Sequence, residues 1–268
     1  MSLRPFKAFA AQLRLSLATS LQYRANYALA FLSVAVGAAV EVALWRLVLQ
    51  DRGQVQGFGI EDLLIYLVIA NMTSMLCVNW ENVLSFSEEV RSGRISRHLL
   101  KPMPLFHVTT AAWLGEKIPV MLGTIPVFWG ISVLWPVIFN PGPAEVAMFV
   151  AGLGVAIWLS AEIYFLITMS AFWIAENAGI AIAFNVLRWA FVGVAFPLSF
   201  YPKWLTQVLD ATPLPYIVYY PALAFMGRLA PQIFLMKLAF AILIGIALTI
   251  LRKAMWQMAE HRLQTVGG

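Results

Sequence analysis

The stretch 85–104, SFSEEVRSGRISRHLLKPMP, is the most charged interior run of a chain in which only 12% of residues are charged. It lies between two long apolar segments, and that placement decides the fold. Ser85 and Glu88 have capping-box spacing, which predicts a short helix starting there. Gly93 is placed to end it in a left-handed conformation. Glu88, Glu89, Arg91 and Arg94 give the helix a wet face of both signs. Arg97 and Lys101 follow before Pro102 and Pro104 stop any further helix. The run reads as a short polar helix held at a membrane surface by the segments on either side. A soluble protein can grip such an element. An ordinary basic loop fixed by the positive-inside rule has the same charge pattern.

Of the 268 residues 61% are hydrophobic, and the mean hydropathy is +0.80. That exceeds the apolar share of a soluble domain and makes this an integral membrane protein. The net charge of +5 belongs to loops: the basic residues are spread out, so nucleic acid is not an expected partner. Cys77 is the single cysteine. It has no intrachain disulfide partner, and no Cys/His cluster exists to bind metal.

A crossing needs about 20 apolar residues. Six such spans are expected, near 27–48, 63–82, 106–134, 146–172, 178–196 and 232–251. The fold class is therefore an all-α, polytopic membrane protein forming one transmembrane domain over 1–268. Pro119 and Pro126 kink the third span. No cleavable signal is visible in 1–24. Instead Leu3, Phe6, Phe9, Leu13 and Leu17 fall on one helical face beside basic residues, the pattern of an interfacial helix.

Eleven of the 18 Lys and Arg residues fall on the side of the termini and of 85–104, and four on the other. The first side is the cytoplasmic one, with both termini inside. The segment 197–231, PLSFYPKWLTQVLDATPLPYIVYYPALAFMGRLAP, is then external. Pro197, Pro202, Pro213 and Pro221 break it too often for a span, yet it is too apolar for water. Trp204 and Tyr219 are interface residues by chemistry. Re-entrant short helices, buried in protein or facing a wet cavity, satisfy both constraints. An amphipathic loop resting on the outer surface is the simpler alternative.

The chain has no P-loop, HExxH or GxSxG motif, and the three histidines are scattered. The intramembrane charges Glu41, Glu116, Lys117, Glu162 and Arg188 must face protein or water, as structural pairs or along a substrate path. Lys237 is placed to snorkel to the outer surface. Glu162 and Arg188 lie 13 residues either side of a turn near Ala175, hence at one depth about 20 Å from it. They are expected to pair.

Three motifs carry a family resemblance. LQYRANYALAFL with ALWRLVL opens the first span. SEEVRSGRISRHLLKPMP is similar to an E-(D/E)-(I/V)-R-(S/N)-G-x-(I/L)-x-x-x-L-L-(R/K)-P signature. FPLSFYPKWL with LPYIVYYPA resembles an external F-P-L-x-x-(F/Y)-P-x-W-L block. Over essentially its whole length the chain resembles the six-helix permease subunits of type-2 ABC exporters, in the bacterial branch that includes viologen exporters.

The resemblance implies that Glu88, Glu89, Arg91, Gly93 and Arg94 lie in or beside a coupling helix between spans two and three that meets an ATPase. It places external re-entrant helices between spans five and six. ATP and Mg would be bound by a separate cytoplasmic ABC ATPase dimer, so the chain itself is neither an enzyme nor a cofactor binder. A second permease, the same or a homologous chain, would complete the path in the bacterial inner membrane. The connection 173–177 is shorter than in many relatives. An apolar path with a few acidic residues suits a hydrophobic or amphiphilic substrate such as a cation, with lipids, peptides and glycans as open alternatives. Two other readings compete. An ion-coupled secondary transporter would show a repeat in its halves, and an intramembrane transferase would need a reactive cluster at one depth.

Overall fold

The computed structural model describes residues 4–22, 24–49, 54–92, 94–95, 103–134, 139–174 and 177–266. Gly93, Arg97, Lys101, Pro102 and Ala175 lie outside the described residues. The regular elements are ten α-helices among the described residues: α1 (Arg4–Gln22), α2 (Arg24–Leu49), α3 (Ile60–Cys77), α4 (Trp80–Arg91), α5 (Leu105–Leu134), α6 (Pro143–Met169), α7 (Ala178–Phe191), α8 (Lys203–Asp210), α9 (Tyr219–Phe225) and α10 (Pro231–Val266). Among the described residues three stretches are long and apolar enough to cross a membrane: Ile60–Val90, Pro143–Phe172 and Pro231–Glu260. They fall on the expected second, fourth and sixth spans.

The core centres on α3, α6 and α9. Leu63, Tyr66, Ile69, Ala156, Val218 and Ala222 are buried there together. α6 runs along α10 on one side and carries α9 against it. Phe149 stacks on Phe225 at a 4.4 Å ring separation. The side chains left exposed on α5, α7 and α10, such as Ile125, Val186 and Leu243, are apolar, as a lipid-facing surface requires.

The helix expected to start at Ser85 starts earlier. α4 begins at Trp80 behind Asn79, so Ser85 sits inside it and its hydroxyl donates to Asn82 O at 3.1 Å. The cause is packing. Val83 and Phe86 are both buried, Val83 against Tyr164 and Ala181, Phe86 against Leu105, Phe165 and Met169. Burying that stripe starts the helix five residues, about one and a half turns, upstream of the capping box. Between α3 and α4 the backbone is extended at Val78 (ψ 133°). The Trp113 indole N–H fills the gap by donating to Val78 O at 3.0 Å.

The expected fifth span also stops short. α7 has 14 residues, about 21 Å at 1.5 Å per residue, against a hydrocarbon core of roughly 30 Å. Gly193 follows at φ +95°, a conformation that glycine adopts without steric cost. Its carbonyl accepts the Tyr66 hydroxyl at 2.6 Å, and Val192 O accepts Tyr219 N at 3.1 Å. The chain therefore turns back toward α9 here.

α1 packs along α5, and the crossing is close. A Cβ on Gly115 would lie 2.6 Å from Leu13 O and 2.8 Å from Ser16 Cβ. The side of α1 turned to protein carries the buried Ser16 and Ser20, whereas Phe6, on the face expected to rest on the membrane, is 73% exposed. We expect Gly115→Ala to push α1 off α5 and cost about 1–3 kcal/mol. Thermal unfolding in detergent measures it; an unchanged midpoint would rule out the close crossing.

Candidate functional site

The 85–104 element has one greasy and one wet side. Phe86 and Ile95 are buried, with Val90 packed beside them, against the ends of α6 and α10 at Phe165, Met169 and Trp256. Ser85, Glu88, Ser92 and Arg94 are exposed, and Glu89 is half-buried. Ser92 ends α4: its N–H and its hydroxyl both donate to Glu88 O, at 2.9 and 2.7 Å. Ile95 N then bonds Glu89 O at 3.1 Å. A polar edge is thereby carried on a firmly packed helix. Arg91 closes α4 in sequence; Gly93 is not among the described residues.

The intramembrane charges are distributed differently from the expected pairing. Glu162 on α6 is 1% exposed. Arg252 Nε on α10 donates to its Oε2 at 2.6 Å. Thr249 Oγ1, also on α10, donates to Oε1 at 2.8 Å, and Trp158 Nε1 donates to the same oxygen at 3.3 Å. The Arg252 guanidinium stacks over the Phe106 ring of α5 at 3.8 Å. One carboxylate thus ties three helices together. The indole of Trp158 lies against Gly245, where a Cβ would meet it at 2.5 Å.

Glu162 and Arg188 do not pair. Tyr164, two residues from Glu162 and so about 200° round the helix, is what faces α7, donating to Asn185 Oδ1 at 3.0 Å. Glu162 faces the other way, to α10. The helix face of Glu162 was what the residue count could not give. Arg188, 6% exposed, instead donates from Nη1 to Ser74 Oγ on α3 at 2.9 Å.

The remaining acidic groups are held by amides. Asn71 Nδ2 donates to Glu41 at 3.1 Å, and Asn82 Nδ2 to Glu116 at 3.3 Å. Lys117 is half-buried on α5. Beside Glu116 a small cavity of about 30 Å³, lined by Asn79, Asn82, Thr109, Thr110, Trp113 and Thr168 among others, has room and partners for a water molecule. Among the described residues no group of three His, Cys, Asp or Glu side chains could hold a metal ion.

The 197–231 segment folds into short helical pieces around α8 and α9. Pro197 and Pro202 precede helical turns at 198–200 and 203–210. Pro213 precedes the turn at 214–216. Trp204 is 65% exposed. Pro221 is buried in α9, and Tyr219 packs edge-on against Tyr66. Asp210 is the knot. It accepts Lys237 Nζ at 2.8 Å and the Tyr220 hydroxyl at 2.5 Å, and its carbonyl accepts the Tyr216 hydroxyl at 2.9 Å. Lys237, expected to reach for the surface, is therefore spent on Asp210. Burial first, and then the Asp210 charge, push the Tyr216 phenol up to about 12; burial and the bond to Asp210 push Tyr220 up as well. Both phenols stay donors at neutral pH. Arg228 closes the same end, bridging Asp62 at 2.7 Å and stacking on Phe58 at 4.3 Å.

The Arg252 clasp and the Asp210 knot escaped the sequence reading. The available signal for the first was Gly245, Thr249 and Arg252, a small, polar and basic stripe at spacings of four and three on one helix face.

Removing either partner of a buried pair leaves the other charge uncompensated, at about 3–5 kcal/mol. We expect Glu162→Gln and Arg252→Gln each to lower the unfolding midpoint in detergent clearly, and Thr249→Val to lower it less. Midpoints equal to wild type for both charge variants would refute the clasp.

A family model described as ABC-2 family transporter protein matches residues 35–267. No curated protein matches the chain.

Proposed function

The chain belongs to the ABC-2 transporter family, and from that premise we propose that it is the permease subunit of an ATP-driven exporter. The single observation that carries the reading is the family match across 35–267, which contains both α4 and the 197–231 segment. In this reading ATP and Mg are bound and hydrolysed by a separate ABC ATPase dimer, and this chain forms half of the path. A second permease copy supplies the other half. Both termini and α4 face the cytoplasm, six segments cross the bacterial inner membrane, and a hydrophobic or amphiphilic substrate moves outward.

Coupling is assigned to Glu88, Glu89, Arg91, Gly93 and Arg94. The assignment is supported by the geometry of α4. Its polar edge carries the exposed Glu88, and Arg94 is exposed three residues past its end. Its apolar face, through Val83 and Phe86, is packed on α6 and α7, so a push on the edge is passed to packed helices rather than absorbed by a loop. Reversing Glu88 and Glu89 to lysine is expected to abolish substrate-stimulated ATP hydrolysis by the reconstituted complex, with membrane insertion intact. Normal transport into vesicles by that double variant would remove the coupling role.

The 197–231 segment is read as re-entrant helices dipping into the outer leaflet. Burial of 215–218 and 220–225 beside bonded, half-buried partners is what that placement requires. In a Cys77→Ser background, single cysteines at Trp204, Gln207 and Val208 should react with an external thiol reagent, and those at Ile217, Ala222 and Ala224 should not. Uniform reactivity along the segment would mean a surface loop instead.

A further inference from the structure

The polar cavity of about 30 Å³ lies where the root of α4 meets α5 and α6. Its polar wall is made by Asn79 and Asn82 at the start of α4, Thr109 and Thr110 of α5, and Thr168 of α6. Phe86, which seats α4 on α6, forms part of the same wall. The space admits a water molecule or a bare ion. Which of the two it favours depends on the groups that face it.

Most of the lining donors are already spent. Thr109 Oγ1 donates to Leu105 O and Phe106 O at 3.2 and 3.1 Å, and Thr168 Oγ1 to Tyr164 O at 2.8 Å. The Trp113 indole N–H goes to Val78 O. Asn82 Nδ2 donates to Asn79 Oδ1 at 2.6 Å and to Glu116 Oε2 at 3.3 Å. A hydroxyl whose proton is committed offers lone pairs alone, and an amide whose N–H groups are committed offers its carbonyl oxygen. The side chains of the wall therefore present oxygens: Oγ1 of the three threonines and Oδ1 of Asn79 and Asn82. The donors left to them are at most the Asn79 amide and the Thr110 hydroxyl. One hydrogen bond behind Asn82 stands the Glu116 carboxylate, which favours positive charge in the cavity. Lys117 is turned about 100° further round α5, within electrostatic reach of Cys77 on α3, and Arg252 is neutralised by Glu162.

We propose that this cavity binds a small monovalent metal cation, sodium or potassium, which ties the root of α4 to α5 and α6. A hard cation takes oxygen ligands, amide carbonyl oxygens among them. It can face every oxygen of the wall at once, whereas a water molecule brings two protons to it. A divalent ion asks for more. Calcium takes roughly six to eight oxygens with carboxylates among them, and the one carboxylate here stands behind Asn82. Any effect of the cation on coupling rests on the exporter reading; its binding does not.

The test uses the full chain without any ATPase, in nanodiscs of phosphatidylcholine at constant ionic strength. N-methyl-D-glucamine chloride, whose cation is too large for the cavity, is replaced stepwise by sodium chloride or potassium chloride. At least one of the two metal ions should raise the unfolding midpoint saturably, by about 2–4 °C. Thr109→Val and Thr168→Val each remove one oxygen from the wall and should weaken the apparent ion affinity at least about tenfold. Thr73→Val is the control. That buried hydroxyl of α3 donates to Ile69 O at 2.8 Å and lies outside the cavity, so its loss should leave the ion response intact. Identical midpoints in all three salts mean a water molecule only and overturn the proposal. A full ion response in both cavity variants, or a response lost equally in Thr73→Val, overturns it too. Should the cavity variants not fold, the three salts compared on the wild type decide it alone. Failure of the chain to associate with an ATPase would end the exporter reading and leave the ion result standing.

Discussion

A carboxylate inside a membrane protein must be answered by a cation and by donors, and the Glu162 cluster is where that constraint organises this molecule. Glu162 is 1% exposed and takes three donors, from Arg252, Thr249 and Trp158. Two of them come from α10. The two longest-packed apolar helices are thereby locked in register as well as pressed together. Arg252 then stacks on Phe106, which brings the start of α5 to the same point. The apolar cluster of Phe86, Leu105, Phe165 and Met169 sits next to this clasp, so α4 inherits its position from it. Apolar contacts alone would leave such helices free to slide, because lipid competes for the same surfaces.

The opposite end is built on the same logic with different parts. Asp210 gathers Lys237, Tyr220 and Tyr216, fixing the short helices of 197–231 to the start of α10. Arg228 joins that segment to Asp62 at the start of α3. α10 is thus pinned twice, at Lys237 and at Arg252, fifteen residues apart, or about 22 Å along the axis. A helix held at both ends moves as a rod. In the proposed exporter, force entering at α4 would reach the far end through α6 and α10.

Much of the fold was legible in the residues. The long apolar runs of α6 and α10 announce themselves by length, and six prolines in 197–231 mark a segment that cannot span. What was not legible is what depends on helix face. Counting residues from a turn gives depth, and depth alone matched Glu162 with Arg188. The face is set by which neighbour packs where, and Tyr164 rather than Glu162 points at α7. The stop of α7 was hidden by composition, since the apolar run continues past Phe191 while Gly193 turns the backbone. The early start of α4 was signalled by Asn79, a favoured N-cap type, but the capping-box spacing at Ser85 outweighed it. Of the residues named for coupling, Glu88, Glu89 and Arg94 lie on or just beyond α4 as its sequence suggests, and no signal in the sequence distinguishes a gripped helix from a merely solvated one.

The central claim is that Glu162 is coupled to α10 and not to α7. A double-mutant cycle in detergent measures this directly, with Glu162→Gln combined once with Arg252→Gln and once with Arg188→Gln. Residues in one buried network show interaction energies of about 0.5–3 kcal/mol, and independent sites add within about 0.3–0.5 kcal/mol. The account predicts coupling in the first cycle and additivity in the second. Additivity between Glu162 and Arg252, with coupling between Glu162 and Arg188, would contradict it.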